Sequence, residues 1–328
     1  MNLVTGAAGY IGSHFVKNYL NIFPEDEIIV VDDLSEGYEQ AIGYSDRIHF
    51  VRENIGNVKI MTELFTQYKI QTVIHFAAST YVGESQQNPS KYFYNNCIQT
   101  LNMFKAMELA EVKEIVFSST CATYGSPNYL PLDEDHPQKP INVYGTTKLM
   151  TEQALEAYSK AKGWSFVSLR YFNACGADES GIIGEMHAPE THLIPLALKS
   201  ALGKRGAIQI YGSDYDTPDG TCIRDYIHVN DLADAHIKAI SYLRRHKGGE
   251  AFNLGTTTGS SVLEVIKMCE EVTGYTIPIQ YIGRRQGDPA ILVANSDKAQ
   301  KLLSWKTKYD LRKTIETAWA WERQPAFQ

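Results

Sequence analysis

The stretch Thr5–Ser13, TGAAGYIGS, constrains the fold of this chain more than any other. Gly6, Gly9 and Gly12 recur every third residue, between an apolar run beginning at Asn2 and a helical pattern that continues from Ile11 to Leu20. A strand turning sharply into a helix needs Gly6 at the turn. Gly9 lets the backbone approach a ligand, and Gly12 lets the helix pack closely on the strand. The first turn of such a helix offers unpaired N–H groups to a diphosphate. Asp32 ends the next apolar run, EIIVVDD, roughly 20 residues on, where a carboxylate accepts from adenosine ribose hydroxyls and repels a 2′-phosphate. No arginine follows within Asp33–Gly37 to receive that phosphate. The pattern predicts a dinucleotide site for NAD rather than NADP.

The rest of the first half keeps the same rhythm. IHFV, TVIHFAA, EIVFSST and WSFVSLRYFN read as strands, and helical patterns cover 58–68, 88–110 and 143–162. Strands alternating with helices of this length predict an α/β fold, a Rossmann-type doubly wound parallel sheet covered on both faces. After Asn173 the rhythm breaks into a polar, Gly-rich stretch, so a smaller mixed α/β substrate-binding domain is expected there. The boundaries drawn are 1–172 for the NAD-binding domain and 173–328 for the second, with part of 224–255 packing back on the first.

Composition excludes several classes. The 328 residues carry a net charge of −7 with scattered basic residues, which is no footprint for nucleic acid. No apolar run approaches the ~18 residues of a membrane span. The five cysteines are an odd number, widely spaced and without a CxxC pair, so neither a disulfide framework nor a structural zinc site is expected. Met1 leads straight into a strand, which leaves no room for a signal peptide, and a cytoplasmic protein is expected.

The chemistry is expected in VYGTTK. Tyr144 and Lys148 stand four apart on a helix and share a face. A tyrosine of pKa ~10 is about 0.1% ionised at pH 7, so its use as a base costs ~4 kcal/mol. A cation ~4 Å away at an effective dielectric of ~20 offsets about that much. Lys148 supplies one such charge and an oxidised nicotinamide a second. A phenolate beside a nicotinamide is equipped to take a hydroxyl proton while hydride leaves the same carbon. Thr120 ends the strand EIVFSST, where open α/β sheets bind ligands, and is placed to hydrogen-bond the reacting hydroxyl.

With these residues the chain resembles the extended short-chain dehydrogenases/reductases and, among them, the UDP-hexose 4-epimerases. The resemblance spans essentially the whole chain. It rests further on HFAASTYVGES (75–85), LRYFNACGA (169–177), RRQGDPA (284–290) and above all DYDTPDGTCIRDYIHVNDLADAH (214–236). It implies a UDP-sugar substrate epimerised at carbon 4 through a keto intermediate, with tightly bound NAD. It implies cofactor contacts at Gly6, Gly9, Tyr10, Ile11, Gly12, Asp32, Asp33, Asn54 and Ile55. Further cofactor contacts follow at Phe76, Ala77, Ala78, Thr80, Asn96, Tyr144, Lys148 and Phe172. Sugar-nucleotide contacts are implied at Thr120, Tyr144, Asn173, Leu193, Tyr211, Arg224, Arg285, Asp288 and Leu292. Of these, Asp288 would take the uridine ribose, and Arg224 with Arg285 the diphosphate, for which fork-shaped guanidinium donors are suited. The family often has Asp at Asn54, and some members have Lys at Thr80. The Ser/Thr–Ala pair of the family reads Thr120–Cys121 here, and Cys121 is expected as a small buried apolar residue.

Related sugar-nucleotide 4,6-dehydratases need Asp–Glu after the active-site Thr for elimination, whereas Cys121 and Ala122 follow here. A dehydrogenase with exchangeable cofactor and a non-catalytic NAD-sensing protein are the remaining alternatives. The resemblance implies a homodimer packed through the 88–110 and Tyr144 helices, with YFYNNC as core or interface. His187 and His192 lack a third ligand at helical spacing, so no metal site is expected, and they are placed in a loop near the uracil. Leu292, the fourth residue after Asp288, takes the place beside the sugar 2-substituent, where a bulky Tyr goes with exclusion of N-acetyl sugars. The smaller leucine predicts some room for UDP-N-acetylglucosamine and UDP-N-acetylgalactosamine.

Overall fold

A computed structural model of the protein describes residues 1–43, 45–285 and 288–327. Seven parallel strands form the main sheet, in the spatial order Gly249–Leu254, Ser165–Tyr171, Glu114–Thr120, Thr72–His75, Asn2–Thr5, Ile28–Asp32, Ile48–Arg52. Side chains alternate across it. Val4, Ile28 and Val30 enter one core with Phe15, Val16 and Leu232, while Leu3, Ile29 and Val31 enter the other with Phe65, Phe104 and Trp164. A strand buried on both faces must be apolar at every position, which is why IIVV reads as a continuous run. The helices Tyr10–Ile22 and Val229–Leu243 pack together on one face, and Val58–Gln67 with Thr100–Leu109 on the other.

Chain order reverses at the pair Asn2–Thr5 and Thr72–His75. A crevice therefore opens at their carboxyl ends, where such sheets hold ligands. Gly6 follows the first strand there and Phe76 the second.

The helix expected over 88–110 is present but not uniform. It runs as Pro89–Tyr92, a π-helical stretch Phe93–Gln99, and Thr100–Leu109. The wider π turn carries Asn95 and Asn96 to Ser79, a rotation the i, i+4 pattern gives no hint of. Beyond residue 172 three small sheets form. Asn173–Cys175 pairs with Tyr226–His228; Ile223–Arg224 lies between Ser260–Ser261 and Ile291–Leu292; and Ile208–Tyr211 pairs with Ile279–Ile282. The helices Leu193–Ala201, Val262–Thr273 and Leu311–Arg323 enclose a separate core around Ile194, Leu198, Val265, Ile266 and Ile315. Among the described residues no helix is long and apolar enough to cross a membrane.

Candidate active site

The glycine loop packs as its spacing requires. Gly6 adopts φ +71°, and a Cβ there would lie 2.4 Å from the Ala77 backbone nitrogen. A Cβ on Gly12 would lie 2.4 Å from the Gly6 carbonyl oxygen. Gly9 differs: its Cβ would meet only the Gly6 oxygen, at 3.3 Å. That one contact is a weaker packing demand than those at Gly6 and Gly12, and a ligand approaching the Gly9 backbone supplies the stronger reason for glycine. Gly9 caps the helix Tyr10–Ile22 without a side-chain cap, so the amides of Tyr10, Ile11 and Gly12 are left to an anion.

Asp32 stands at the rim of this loop. Its two carboxylate oxygens each accept one backbone N–H at 2.9 Å, from Ala8 and from Leu34. Burial holds its carboxyl above the ordinary value against those two bonds. A carboxylate has further lone pairs for two ribose hydroxyls. Asn54 donates to Asp33 (2.9 Å) and accepts from Gly56 N–H (2.9 Å) and Gln99 (2.6 Å), so it is fixed beside Ile55. Asn96 brackets Ser79, accepting from its N–H at 2.9 Å and donating to its carbonyl at 3.0 Å, and also reaches Thr147 at 3.1 Å. Phe76 packs against the core of one face and Ala77 against that of the other, Ala78 and exposed Thr80 follow on the same loop, and the Tyr10 hydroxyl donates to the Gly176 carbonyl at 2.6 Å. The Gly9 opening, the uncapped helix start and the Asp32 carboxylate fit a dinucleotide.

The candidate reacting groups lie at the same edge of the sheet, where the strand Glu114–Thr120 ends next but one to Asn2–Thr5. Asn142 caps the helix Val143–Lys162 through Gly145 N–H at 2.7 Å, which puts Tyr144 in its first turn and Lys148 in the next. Gly145 lies against the Ala122 carbonyl, where a Cβ would come within 2.4 Å, so the helix seats directly on the turn after Thr120. The Lys148 ammonium donates to the Ser118 carbonyl at 2.8 Å and lies 5.9 Å from the centre of the Tyr144 ring. Burial pulls Lys148 down to about 7. Burial raises the Tyr144 phenol well above its ordinary value, against a hydrogen bond from Thr120 that lowers it. Lys148 is anchored to the strand rather than aimed at the phenol oxygen, a detail spacing alone does not give. Cys121 is half-buried rather than buried, and desolvation still pushes its thiol up to about 12.

Sequence reasoning missed the support beneath these groups. Arg170 is paired with Glu152 through Nη2 at 2.6 Å and Nε at 3.0 Å, both side chains buried. Ser119 and Gln138 also donate to Glu152, and Arg170 donates to the Tyr124 hydroxyl at 2.9 Å, which donates to Asn253 at 2.7 Å. This network ties the Tyr144 helix to the strands Glu114–Thr120 and Ser165–Tyr171. A signal was present: Glu152 continues the Tyr144–Lys148 stripe by one more turn, an acid on a buried face.

Across the crevice, Asn173 donates through both its N–H (3.0 Å) and its side-chain amide (2.9 Å) to the Asp225 carbonyl, leaving its side-chain oxygen available. Arg224 donates to Asp288 at 2.8 Å, and the Arg285 guanidinium stacks 3.7 Å above the Tyr211 ring. Gln286 and Gly287, within the motif RRQGDPA, lie outside the described residues. Leu193 opens the helix Leu193–Ala201, whose N-cap, His192, makes no side-chain cap. Leu292 packs on Tyr124, Leu132, Phe172 and Ala294, together with Cys121. It thus stands at the end of the Thr120 strand rather than in the core of the second half.

One expectation needs correction. Helical spacing offers His187 and His192 no third ligand, but Glu185–His192 is not helical. The loop brings Glu185 and Glu190 to both histidines. Burial lowers His187 and His192, and the two carboxylates outweigh it, pushing them up to about 9 and about 10. The His187 ring packs against Tyr10 of the glycine loop and against Tyr81.

An open parallel sheet with a glycine loop at its switch point, and a Tyr–Lys–Thr set beside it, defines a dinucleotide-dependent enzyme that moves a proton and a hydride at one carbon. The model of the NAD dependent epimerase/dehydratase family matches residues 2–255. The chain belongs to that family. It is 49% identical over 323 residues to a UDP-glucose 4-epimerase of Halalkalibacterium halodurans, covering 98% of this chain and 95% of the relative. The crystal structure of UDP-glucose 4-epimerase from Brucella ovis in complex with NAD superposes with a TM-score of 0.93 at 45% identity, covering 97% of each chain. The UDP-Glc/GlcNAc 4-epimerase of Campylobacter jejuni superposes with a TM-score of 0.87 at 40% identity, covering 98% of this chain and 99% of that one.

Proposed function

We propose that this protein is an isomerase, a UDP-glucose 4-epimerase that interconverts UDP-galactose and UDP-glucose through a 4-keto sugar with tightly bound NAD. The observation that carries the reading is the meeting of Tyr144, Lys148 and Thr120 at the carboxyl end of the strand Glu114–Thr120, beside the glycine loop. Tyr144 takes the proton of the sugar 4-hydroxyl, and Thr120 orients that hydroxyl. Lys148, held by Ser118, favours the phenolate. When bound, NAD supplies a hydride acceptor and a positive charge. Arg224, Arg285, Tyr211 and Asp288 hold the UDP while the keto sugar turns its other face, so one arrangement of the protein serves both epimers. The seven-stranded body is the cofactor half, and the small sheets after residue 172 are the sugar-nucleotide half.

Cys121 and Ala122 after Thr120 offer no acid–base pair for a 4,6-dehydratase. Purified protein should epimerise UDP-galactose without added cofactor, contain NAD, and release no net NADH. Stoichiometric NADH would mean a dehydrogenase, and absence of turnover a binding protein. Leu292, packed beside Cys121 and Phe172, supports turnover of the N-acetyl sugars as well. A homodimer accounts for the exposed apolar stripe Tyr94, Ile98, Leu101 and for Met150 on the neighbouring helix; sedimentation measures it. All five cysteines are unpaired, which suits a reducing cytoplasm.

A further inference from the structure

The loop before the helix Leu193–Ala201 gathers a group of side chains that the epimerase reaction does not use. Glu185, His187, Glu190 and His192 each present one donor atom, and the four atoms lie within 4.8 Å of one another. The Nδ1–carboxylate separations are 3.2 Å (His187 to Glu185 Oε1), 3.7 Å (His187 to Glu190 Oε2), 2.7 Å (His192 to Glu185 Oε1) and 3.1 Å (His192 to Glu190 Oε1), so Glu190 turns one oxygen to each histidine. A tetrahedral ion with ligands at ~2.0–2.2 Å has edges of roughly 3.3–3.5 Å. The observed separations bracket that edge.

Hydrogen bonding satisfies only part of this group: His192 Nδ1 meets Glu190 Oε1 at 3.1 Å. Glu185 is only 5% exposed, and its Oε1 has no hydrogen-bond partner; the same holds for His187 Nδ1 and Glu190 Oε2. His187 Nδ1 and Glu185 Oε1 are close without hydrogen-bonding geometry, as two lone pairs aimed at a common centre are. Buried polar atoms left unpaired are costly, and one cation would satisfy all of them together. Two carboxylates balance one divalent charge and leave the imidazoles neutral. The outer contacts fix the set. The Glu185 carbonyl accepts from Trp321 at 2.9 Å, and Glu190 Oε1 accepts the N–H of Thr191 at 2.7 Å and of His192 at 2.8 Å.

We propose that Glu185, His187, Glu190 and His192 bind one zinc ion in a closed tetrahedral site. Two imidazoles with two carboxylates suit zinc, whereas calcium and magnesium prefer six or more oxygens. With four protein ligands the ion has no open position, so it positions structure rather than reacting. His192 directly precedes Leu193 at the start of its helix, and His187 lies on Tyr10. The ion would staple the loop between the cofactor half and the sugar-nucleotide half.

The test uses tag-free full-length protein with its NAD, incubated with zinc and desalted. Metal analysis should find one zinc per chain, and cobalt substitution should give the intense visible absorption of a tetrahedral site. Glu185→Gln and the double variant His187→Ala/His192→Ala should lose the metal. Should these variants fail to fold, the wild-type stoichiometry and cobalt spectrum still decide. Zinc that washes out of wild type on desalting, a weak octahedral cobalt spectrum, or full zinc retention by the folded double variant would each overturn the site.

Discussion

Gly9 and Gly12 stand three residues apart, yet the structure assigns them different jobs, and alanine at each separates the two. At Gly12 a Cβ would lie 2.4 Å from Gly6 O, 2.7 Å from Ala7 Cα and 3.0 Å from Gly6 C. All three are backbone atoms, and none can rotate away. Forced overpacking of this kind costs about 1–3 kcal/mol or more, so NAD-free Gly12→Ala should unfold several degrees early. At Gly9 the backbone is φ −82°, ψ 173°, and the only neighbour is Gly6 O at 3.3 Å. Alanine there restricts the unfolded chain and meets a single tight contact, against three for Gly12, so NAD-free Gly9→Ala should stay within about 1 kcal/mol of wild type. Under the proposed NAD site, its methyl would intrude on the diphosphate at the open Gly9 backbone. Losing one charge-assisted hydrogen bond of about 1.5–3 kcal/mol weakens NAD by roughly 10- to 150-fold. Denaturant unfolding of NAD-stripped protein and calorimetric NAD titration read the two effects separately. Wild-type NAD affinity in Gly9→Ala, or equal destabilisation by both variants, would refute the division of labour.

Tyr144→Phe should keep its NAD and lose turnover by about 10²- to 10⁴-fold in a UDP-galactose assay, and a variant retaining a large share of activity removes Tyr144 as the base. Glu152→Ala leaves Arg170 charged and unpaired in the interior; urea unfolding should show a loss of about 3–5 kcal/mol, and a loss near zero would deny the network its role. Burial lowers Lys148 from 10.5 to about 7 in the folded protein, so the fold bears its full charging penalty below pH 7 and sheds it as pH rises toward 10.5. NAD-stripped Lys148→Met should therefore gain more stability over wild type at pH 6 than at pH 9, by on the order of 2–3 kcal/mol; the opposite order would refute the shift. Leu292→Tyr should suppress turnover of UDP-N-acetylglucosamine by tens- to hundredfold and spare UDP-galactose, and a wild type inert toward the N-acetyl sugar would reject a roomy pocket.

Features of short sequence range were legible. The glycine loop, Asp32 and the Tyr144–Lys148 stripe each sit within one strand, turn or helix, where periodicity reports geometry. The parallel sheet followed from runs such as IIVV, since only a strand covered on both faces reads that way. What long-range packing decides was not legible. Arg170 finds Glu152 because Ser165–Tyr171 lies beside Glu114–Thr120, a pairing no local pattern encodes. Asn96 reaches Ser79 through a π turn that an i, i+4 count misplaces. Glu185 and Glu190 meet His187 and His192 through an irregular loop, whose geometry no helical period encodes.

The seventh strand, Gly249–Leu254, lies in the main sheet although more than seventy residues separate it from Tyr171, the end of its neighbour Ser165–Tyr171. The helix Val229–Leu243, which covers Tyr10–Ile22, arrives equally late. During synthesis the first six strands therefore emerge with an open sheet edge and a bare apolar helix face, and they wait for both. A nascent chain paused near residue 200 is a natural client for a holding chaperone. By the same logic, a stop codon in the second half removes the cover of the first, so a truncated product meets proteolysis instead of persisting as a spare NAD-binding fragment.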